Sequence, residues 1–192
     1  ADDPLHHHSS RPSPAVLALV LLTTALHLGL AHRYGVFRDE LYYQACSDHL
    51  DWGFVDFPPL TAVLLRVVRA TLGESLLAIR LLPALCHAGV ILLTAAMVRR
   101  LEGSRFAQAL AALAVSVSPV YLTTGHLFTP NAFESLLWAV AALLWLDICG
   151  MRRRGAWLGL GVVVGLALQT KHSGAFLCVG LAAAVVGTRQ RR

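Results

Sequence analysis

Charge is what this sequence has least of. Only 14% of its 192 residues are Asp, Glu, Lys or Arg, while 56% are hydrophobic and the mean hydropathy is +0.62. Soluble domains carry about a quarter charged residues. So few charges cannot cover a water-facing surface, which excludes a disordered chain and argues against a soluble globular enzyme. Lysine is nearly missing: of the 16 basic residues, all but Lys171 are Arg, a bias that fits GC-rich coding. The net charge of +5 does not point to nucleic acid, because the arginines sit at the ends of apolar runs. Paired cysteines are also absent. Cys46, Cys86, Cys149 and Cys178 show no CxxC spacing, and three of them lie in or at the ends of apolar runs, where cysteine acts as a small buried hydrophobe. Neither a disulfide framework nor a zinc cluster organises such a chain.

What is present is a series of apolar runs. A membrane helix needs roughly 20 mainly apolar residues, with about 17 as the lower end. Ala15–Ala31, Leu76–Val98, Phe106–Thr123, Ala132–Cys149, Ala156–Thr170 and Ser173–Gly187 supply six candidates, the last two short. The expected fold is therefore an all-α integral membrane protein of about six transmembrane helices. The domain plan is a disordered polar tail over 1–14, then a membrane domain over 15–192 with an acidic outer loop over 32–74.

Orientation follows from the positive-inside rule. The Arg clusters at 99–105, 152–154 and 189–192 are placed in the cytoplasm, together with the N-terminus. The loops 32–74 and 124–131, and Lys171, then face outside. Cys46 is expected to be reachable by a reagent from outside and position 153 not. Leu60–Leu72 is apolar and helical in pattern but carries Arg66 and Arg69. If it crossed the membrane, every later Arg cluster would flip outward, so it is read as an interfacial amphipathic helix.

The outer loop from Tyr34 to Leu60 holds five of the chain's 11 acids, namely Asp39, Glu40, Asp48, Asp51 and Asp56, with seven aromatics among them. Residues 38–50 read as a short helix, in which Asp39 and Glu40 favour the positive end of the helix dipole. Aromatic rings over a polar floor also suit a sugar, whose C–H faces stack on them. The same parity brings further polar groups to this face: Gly125-His126, Thr129-Pro130-Asn131, Glu134, Lys171-His172 and Arg80. Ionisable groups within membrane spans are costly and are commonly functional. Arg80 and Glu134 stand out, and a pair between them is the plain structural reading. Carboxylates can act as general bases or hold a divalent ion, and cations can neutralise a phosphate. A site of both kinds beside a bilayer suits transfer from a lipid phosphate.

The segments FRDELYY (37–43), HLDWGFVDFPPL (49–60), SLLAIRLLPAL (75–85), LFTPNAFESLLW (127–138) and LALQTKHSGAF (166–176) resemble, in that order, glycosyltransferase family 39 and its bacterial relatives. These include aminoarabinose transferases acting on lipid A, protein O-mannosyltransferases and rhizobial core galacturonosyltransferases, all of the GT-C membrane fold. The resemblance implies a polyprenyl-phosphate-linked sugar as donor and an extracytoplasmic lipid, polysaccharide or protein acceptor, at the inner membrane of a bacterium. It implies Asp39 as catalytic base, with Glu40 beside it. Asp56 falls at the donor or metal site, with a divalent ion as an implied cofactor. Asn131 stands where the family often has an acid, and Glu134, on the same helical face, is the substitute, so Asp56 and Glu134 are the candidate metal ligands. Lys171 and Arg80 are the expected phosphate partners. Family members are much longer, so the chain is expected to be a fragment, a truncated product or a stand-alone subunit. A non-catalytic membrane subunit and a transporter half are the competing functional readings.

Overall fold

The computed structural model describes residues 12–150 and 155–189. Most of the expected tail lies outside them, as do the Arg clusters at 152–154 and 190–192. Among the described residues the chain is helical with no strand. The helices are α1 (Pro14–Leu30), α2 (Arg38–Asp48), α3 (Leu60–Leu72), α4 (Leu76–Arg100), α5 (Arg105–Val117), α6 (Pro119–His126), α7 (Pro130–Cys149), α8 (Ala156–Thr170) and α9 (Gly174–Arg189).

Local chemistry sets the boundaries. Ser13, Ser75 and Ser104 each cap a helix by accepting a hydrogen bond from a backbone N–H in the first turn, and Pro14 begins α1 where no amide partner is needed. Gly73 closes α3 at φ +90°, a conformation that a side chain resists. The α3 expected over Leu60–Leu72 has those bounds, whereas α2 ends at Asp48, two residues short of the expected helix.

Two helices, α4 and α7, are long and apolar enough to cross a membrane by themselves. The segment expected as one straight span over Phe106–Thr123 is instead two helices, α5 and α6, bent by 62°. The cause is Pro119. Its ring restricts Ser118 to an extended ψ of 125° and removes one amide from the helix ladder. The pair counts as a third, broken span, while α1, α8 and the Gly174–Gly187 part of α9 are shorter apolar helices.

The long helix α4 is the hub, packed against α1, α3, α5, α6 and α7, while α8 bridges α7 and α9 and touches α3. One core gathers Tyr43, Phe57, Leu65, Ile79, Phe128 and Phe133, joining α2 and α3 to the N-terminal halves of α4 and α7. A second joins Val16, Ile91, Ala95 and Ala112 at the opposite end. Helix direction alternates, and the side-chain bonds show it. The C-terminal ends of α1, α6 and α8 and the N-terminal ends of α4, α7 and α9 share one end of the bundle with α2 and α3. At the other end Arg100 pairs with Asp147 at 3.0 Å, tying the C-terminal ends of α4 and α7.

Gly125 lets α6 lie against α1 and α4. A Cβ there would sit 2.7 Å from His87 Cβ and 3.0 Å from His27 Nε2. Gly125→Ala should therefore destabilise the protein by about 1–3 kcal/mol through overpacking. Thermal unfolding in detergent micelles checks this, and an unchanged midpoint would show that α6 is not held so closely.

Candidate functional site

The shared end of the bundle is organised around one buried ion pair. Arg80, on the second turn of α4, is 1% exposed, and Glu40, in the first turn of α2, is 0% exposed. Arg80 Nε and Nη2 donate to the two carboxylate oxygens of Glu40 at 3.1 and 2.7 Å, a bidentate fork. The remaining guanidinium donors reach the carbonyls of Ala31 at 2.6 Å, Tyr34 at 3.3 Å and Gly35 at 2.9 Å. Each Glu40 oxygen also accepts a backbone N–H, from Phe37 at 3.0 Å and from Phe128 at 3.1 Å. Burial alone would raise the Glu40 pKa. The hydrogen bonds from Arg80 and from the Phe37 and Phe128 amides outweigh it, and the net shift is downward.

This geometry replaces the plain structural reading, an Arg80–Glu134 pair, with a different one. The partner of Arg80 is Glu40, because the first turn of α2 and the start of α4 meet while Glu134 faces α8 and α9. All five N–H groups of Arg80 are engaged within the protein, so the guanidinium expected to meet a phosphate is already saturated. Glu40 is likewise saturated and inaccessible, beside an Asp39 that is neither.

Asp39 lies next in the chain to Glu40 but points elsewhere, since adjacent residues of a helix do not share a face. Its side chain is 39% exposed and pairs with the 89% exposed Arg38 at 3.1 Å. Asp56 is exposed on the connection to α3 and accepts a 2.7 Å hydrogen bond from the Tyr42 hydroxyl. Burial first, then the charges of Asp39 and Asp56, push the Tyr43 phenol up to about 12, which puts both carboxylates within electrostatic reach of one ring. Tyr42 is raised too, chiefly by its bond to Asp56. Of the aromatics expected over a polar floor, Tyr34, Phe37, Tyr42 and Trp52 are exposed, whereas Tyr43 and Phe57 are core residues.

The α7, α8 and α9 ends form a second polar group. Lys171 Nζ donates to Asn131 Oδ1 at 2.7 Å and lies 3.5 Å from a Glu134 oxygen, and the Ser173 hydroxyl donates to the other Glu134 oxygen. The structure thus brings Asn131, Glu134 and Lys171 together, with Lys171 39% exposed. Asp56 and Glu134 are not gathered into a metal cage. Among the described residues no three His, Cys, Asp or Glu side chains are grouped to hold an ion, and Glu134 already carries a cation and a hydroxyl. These residues do not fit a resident divalent metal.

Two polar features were missed in the sequence. One is the Tyr42–Asp56 bond. The other is a buried histidine contact, His27 Nε2 to His87 Nδ1 at 2.9 Å, with the His126 ring stacked on His27. The only available signal was a polar residue in each of two apolar runs. Arg69 pins α2 to α3 through Ser47 at 2.7 Å and Asp48 at 2.8 Å, and also reaches Glu74, in the turn after α3, at 2.8 Å. Cys46, expected to be accessible, is 7% exposed, because it faces the core side of α2.

Comparison with known proteins agrees in family. The family model described as dolichyl-phosphate-mannose-protein mannosyltransferase matches residues 56–192, a range that includes Asp56, Asn131, Glu134 and Lys171 and begins after Asp39. A lipid A galacturonosyltransferase of Rhizobium johnstonii is 28% identical over 151 residues, covering 78% of this chain and 32% of the relative. The chain therefore spans about a third of the length of that curated relative. No solved structure matches.

Removing one partner of the buried pair leaves the other uncompensated, at a cost of about 3–5 kcal/mol. Glu40→Ala and Arg80→Ala should each lower the unfolding midpoint in micelles strongly, and the double variant should recover part of the loss. Because the Glu40 pKa is depressed on folding, its contribution is present above the ordinary glutamate range and is lost as pH falls through the folded-state value. Strictly additive single effects would show that the pair is not coupled.

Proposed function

The chain belongs to the dolichyl-phosphate-mannose-protein mannosyltransferase family of membrane glycosyltransferases, and from that premise we propose that it moves a sugar from a polyprenyl-phosphate donor to an acceptor hydroxyl at the extracytoplasmic face, with inversion and with Asp39 as base. The observation that carries this reading is the division of labour at one end of the bundle. An accessible carboxylate, Asp39, stands beside a saturated one, Glu40, and an accessible cation, Lys171, stands on the neighbouring helix ends. The similar lipid A galacturonosyltransferase supports a lipid acceptor.

The proposed chemistry is carried by side chains of this chain. Asp39 takes the proton of the acceptor hydroxyl, and that oxygen forms a bond to the anomeric carbon. The bond from the anomeric carbon to the phosphate oxygen breaks, and the phosphate leaves with the electron pair. Lys171 has three donors, of which one is held by Asn131, so the ammonium can meet the departing phosphate while Glu134 and Asn131 hold it in place. Asp56, exposed and oriented by Tyr42, is assigned the donor hydroxyls in this reading.

Two measurements test this. Asp39→Asn should lower transfer from a radiolabelled polyprenyl-phosphate sugar by about 10²–10⁴-fold, with unchanged thermal stability, whereas full activity would remove Asp39 as base. For orientation, Trp52 is 94% exposed and replaces the buried Cys46 as the probe position. In a cysteine-free background, Trp52→Cys should react with a membrane-impermeant maleimide added to intact cells and Arg105→Cys should not. The reverse pattern would place the site in the cytoplasm.

A further inference from the structure

His27, His87 and His126 meet where α1, α4 and α6 touch, and they take no part in the proposed transfer. His27 and His87 are buried, with His27 Nε2 2.9 Å from His87 Nδ1. The break at Pro119 helps to build this contact. Pro119 has no amide to give the Val115 carbonyl, which accepts instead from Ser118 N and His87 Nε2, each at 3.3 Å. A carbonyl only accepts, so His87 carries its proton on Nε2 and offers Nδ1 as acceptor, and His27 donates through Nε2. One run of bonds thus joins α1, α4 and the end of α5. Helix α6 closes over it. Gly125 lies against the two facing nitrogens, where a Cβ would sit 3.0 Å from each, and the His126 and Tyr121 rings stack on His27 and His87. We propose that this cluster is a proton-sensitive latch, which holds α6 against α1 and α4 while the histidines are neutral and releases it when they are protonated.

The sense of the switch follows from the bonds. One added proton can be shared, as an imidazolium donating to a neutral imidazole. A second makes both facing nitrogens donors, and two positive rings then oppose each other beneath a third. The surroundings offer no free negative charge to hold them together. Tyr121 comes from α6, Tyr34 from the turn after α1, Arg80 from α4 and Glu40 from α2, while α5 brings the Val115 carbonyl. Arg80 and Glu40, which lie within electrostatic reach of His126, are already paired with each other. Protons have a route to the cluster, because His27 and His126 line a cavity of about 590 Å³ that also reaches Tyr34 and Arg80 at the polar end of the bundle. Release would be felt at the buried pair. Two residues after His126 the Phe128 amide donates to Glu40, so the loop that α6 leads into is one of the anchors of that pair. The latch is a property of the fold and does not rest on the role proposed for Asp39.

The test reads the separation of α1 and α6 by double electron–electron resonance in phospholipid nanodiscs. Spin labels are attached to Leu21→Cys and Thr123→Cys, both exposed positions, in a cysteine-free background. One distance is expected at about pH 8 and a second, longer one on acidification to about pH 4.5, its share rising by up to about tenfold for each pH unit and each proton taken up. His27→Gln keeps a donor for His87 Nδ1 but cannot be charged, so it should hold the short distance at both pH values. His87→Asn keeps an acceptor for His27 and leaves one titratable ring in the facing pair, and it should do the same where the first variant fails to fold. An unchanged distance with all three histidines in place would overturn the proposal. Acid opening of either variant to the full extent would overturn it equally, because the change would then belong to another group, such as Glu40.

Discussion

The Glu40–Arg80 pair is the constraint on which the polar end of this bundle depends. A charge at membrane depth is tolerated only with a partner and with its remaining hydrogen bonds satisfied. Arg80 meets that condition by drawing in Glu40 together with the carbonyls of Ala31, Tyr34 and Gly35, and Glu40 draws in the amides of Phe37 and Phe128. Five separate stretches of chain are thereby held to one point: the end of α1, the turn after it, the start of α2, the start of α4 and the loop before α7. Such an arrangement contributes less net stability than its number of bonds suggests, because desolvation offsets much of the attraction. What it supplies is geometry, since any other register would leave a buried charge unpaired.

From that point the surrounding polar layer is built outward. The α2 helix, fixed at its first turn by Glu40, is fixed at its last turn by Arg69, which reaches Ser47 and Asp48. With both ends held, α2 has no freedom to rotate, and Tyr43 and Cys46 stay in the core while Asp39 and Tyr42 stay outside. The loop before α7, held at Phe128, sets the start of α7 and hence Asn131 and Glu134, which in turn position Lys171. The accessible carboxylate and the accessible cation are thus both indexed to the same buried pair, although they share no direct contact.

Much of the fold was legible in the sequence for a simple reason: apolar runs with arginines at their ends report helix position directly. The bounds of α3 and α8 match the runs read for them, and α1, α4, α7 and α9 differ by one or two residues at an end. The broken α5–α6 unit was not legible because hydropathy continues smoothly across Ser118-Pro119, and only the proline marks the break. The partner of Arg80 was not legible either. Parity placed Arg80, Glu40 and Glu134 on one end of the bundle, but which carboxylate meets the guanidinium depends on how α2 folds back over α4, and that is a tertiary fact. The burial of Cys46 follows from the same rotation of α2. Parity likewise put Asn131, Glu134 and Lys171 on that face together with the other polar residues, but that these three meet one another is a tertiary fact.

The adjacency of Asp39 and Glu40 acquires a physical meaning from this arrangement. Two consecutive acids at a helix start would both be surface groups if the dipole alone governed them. Here one step along the helix, a rotation of about 100°, separates a carboxylate held by four hydrogen bonds from one that pairs with an exposed arginine. A base must be unprotonated, accessible and held in direction. Under the proposed function Asp39 has the access, and Glu40 supplies the direction by anchoring the turn that carries it. The two acids are therefore better regarded as one device than as alternatives for one role.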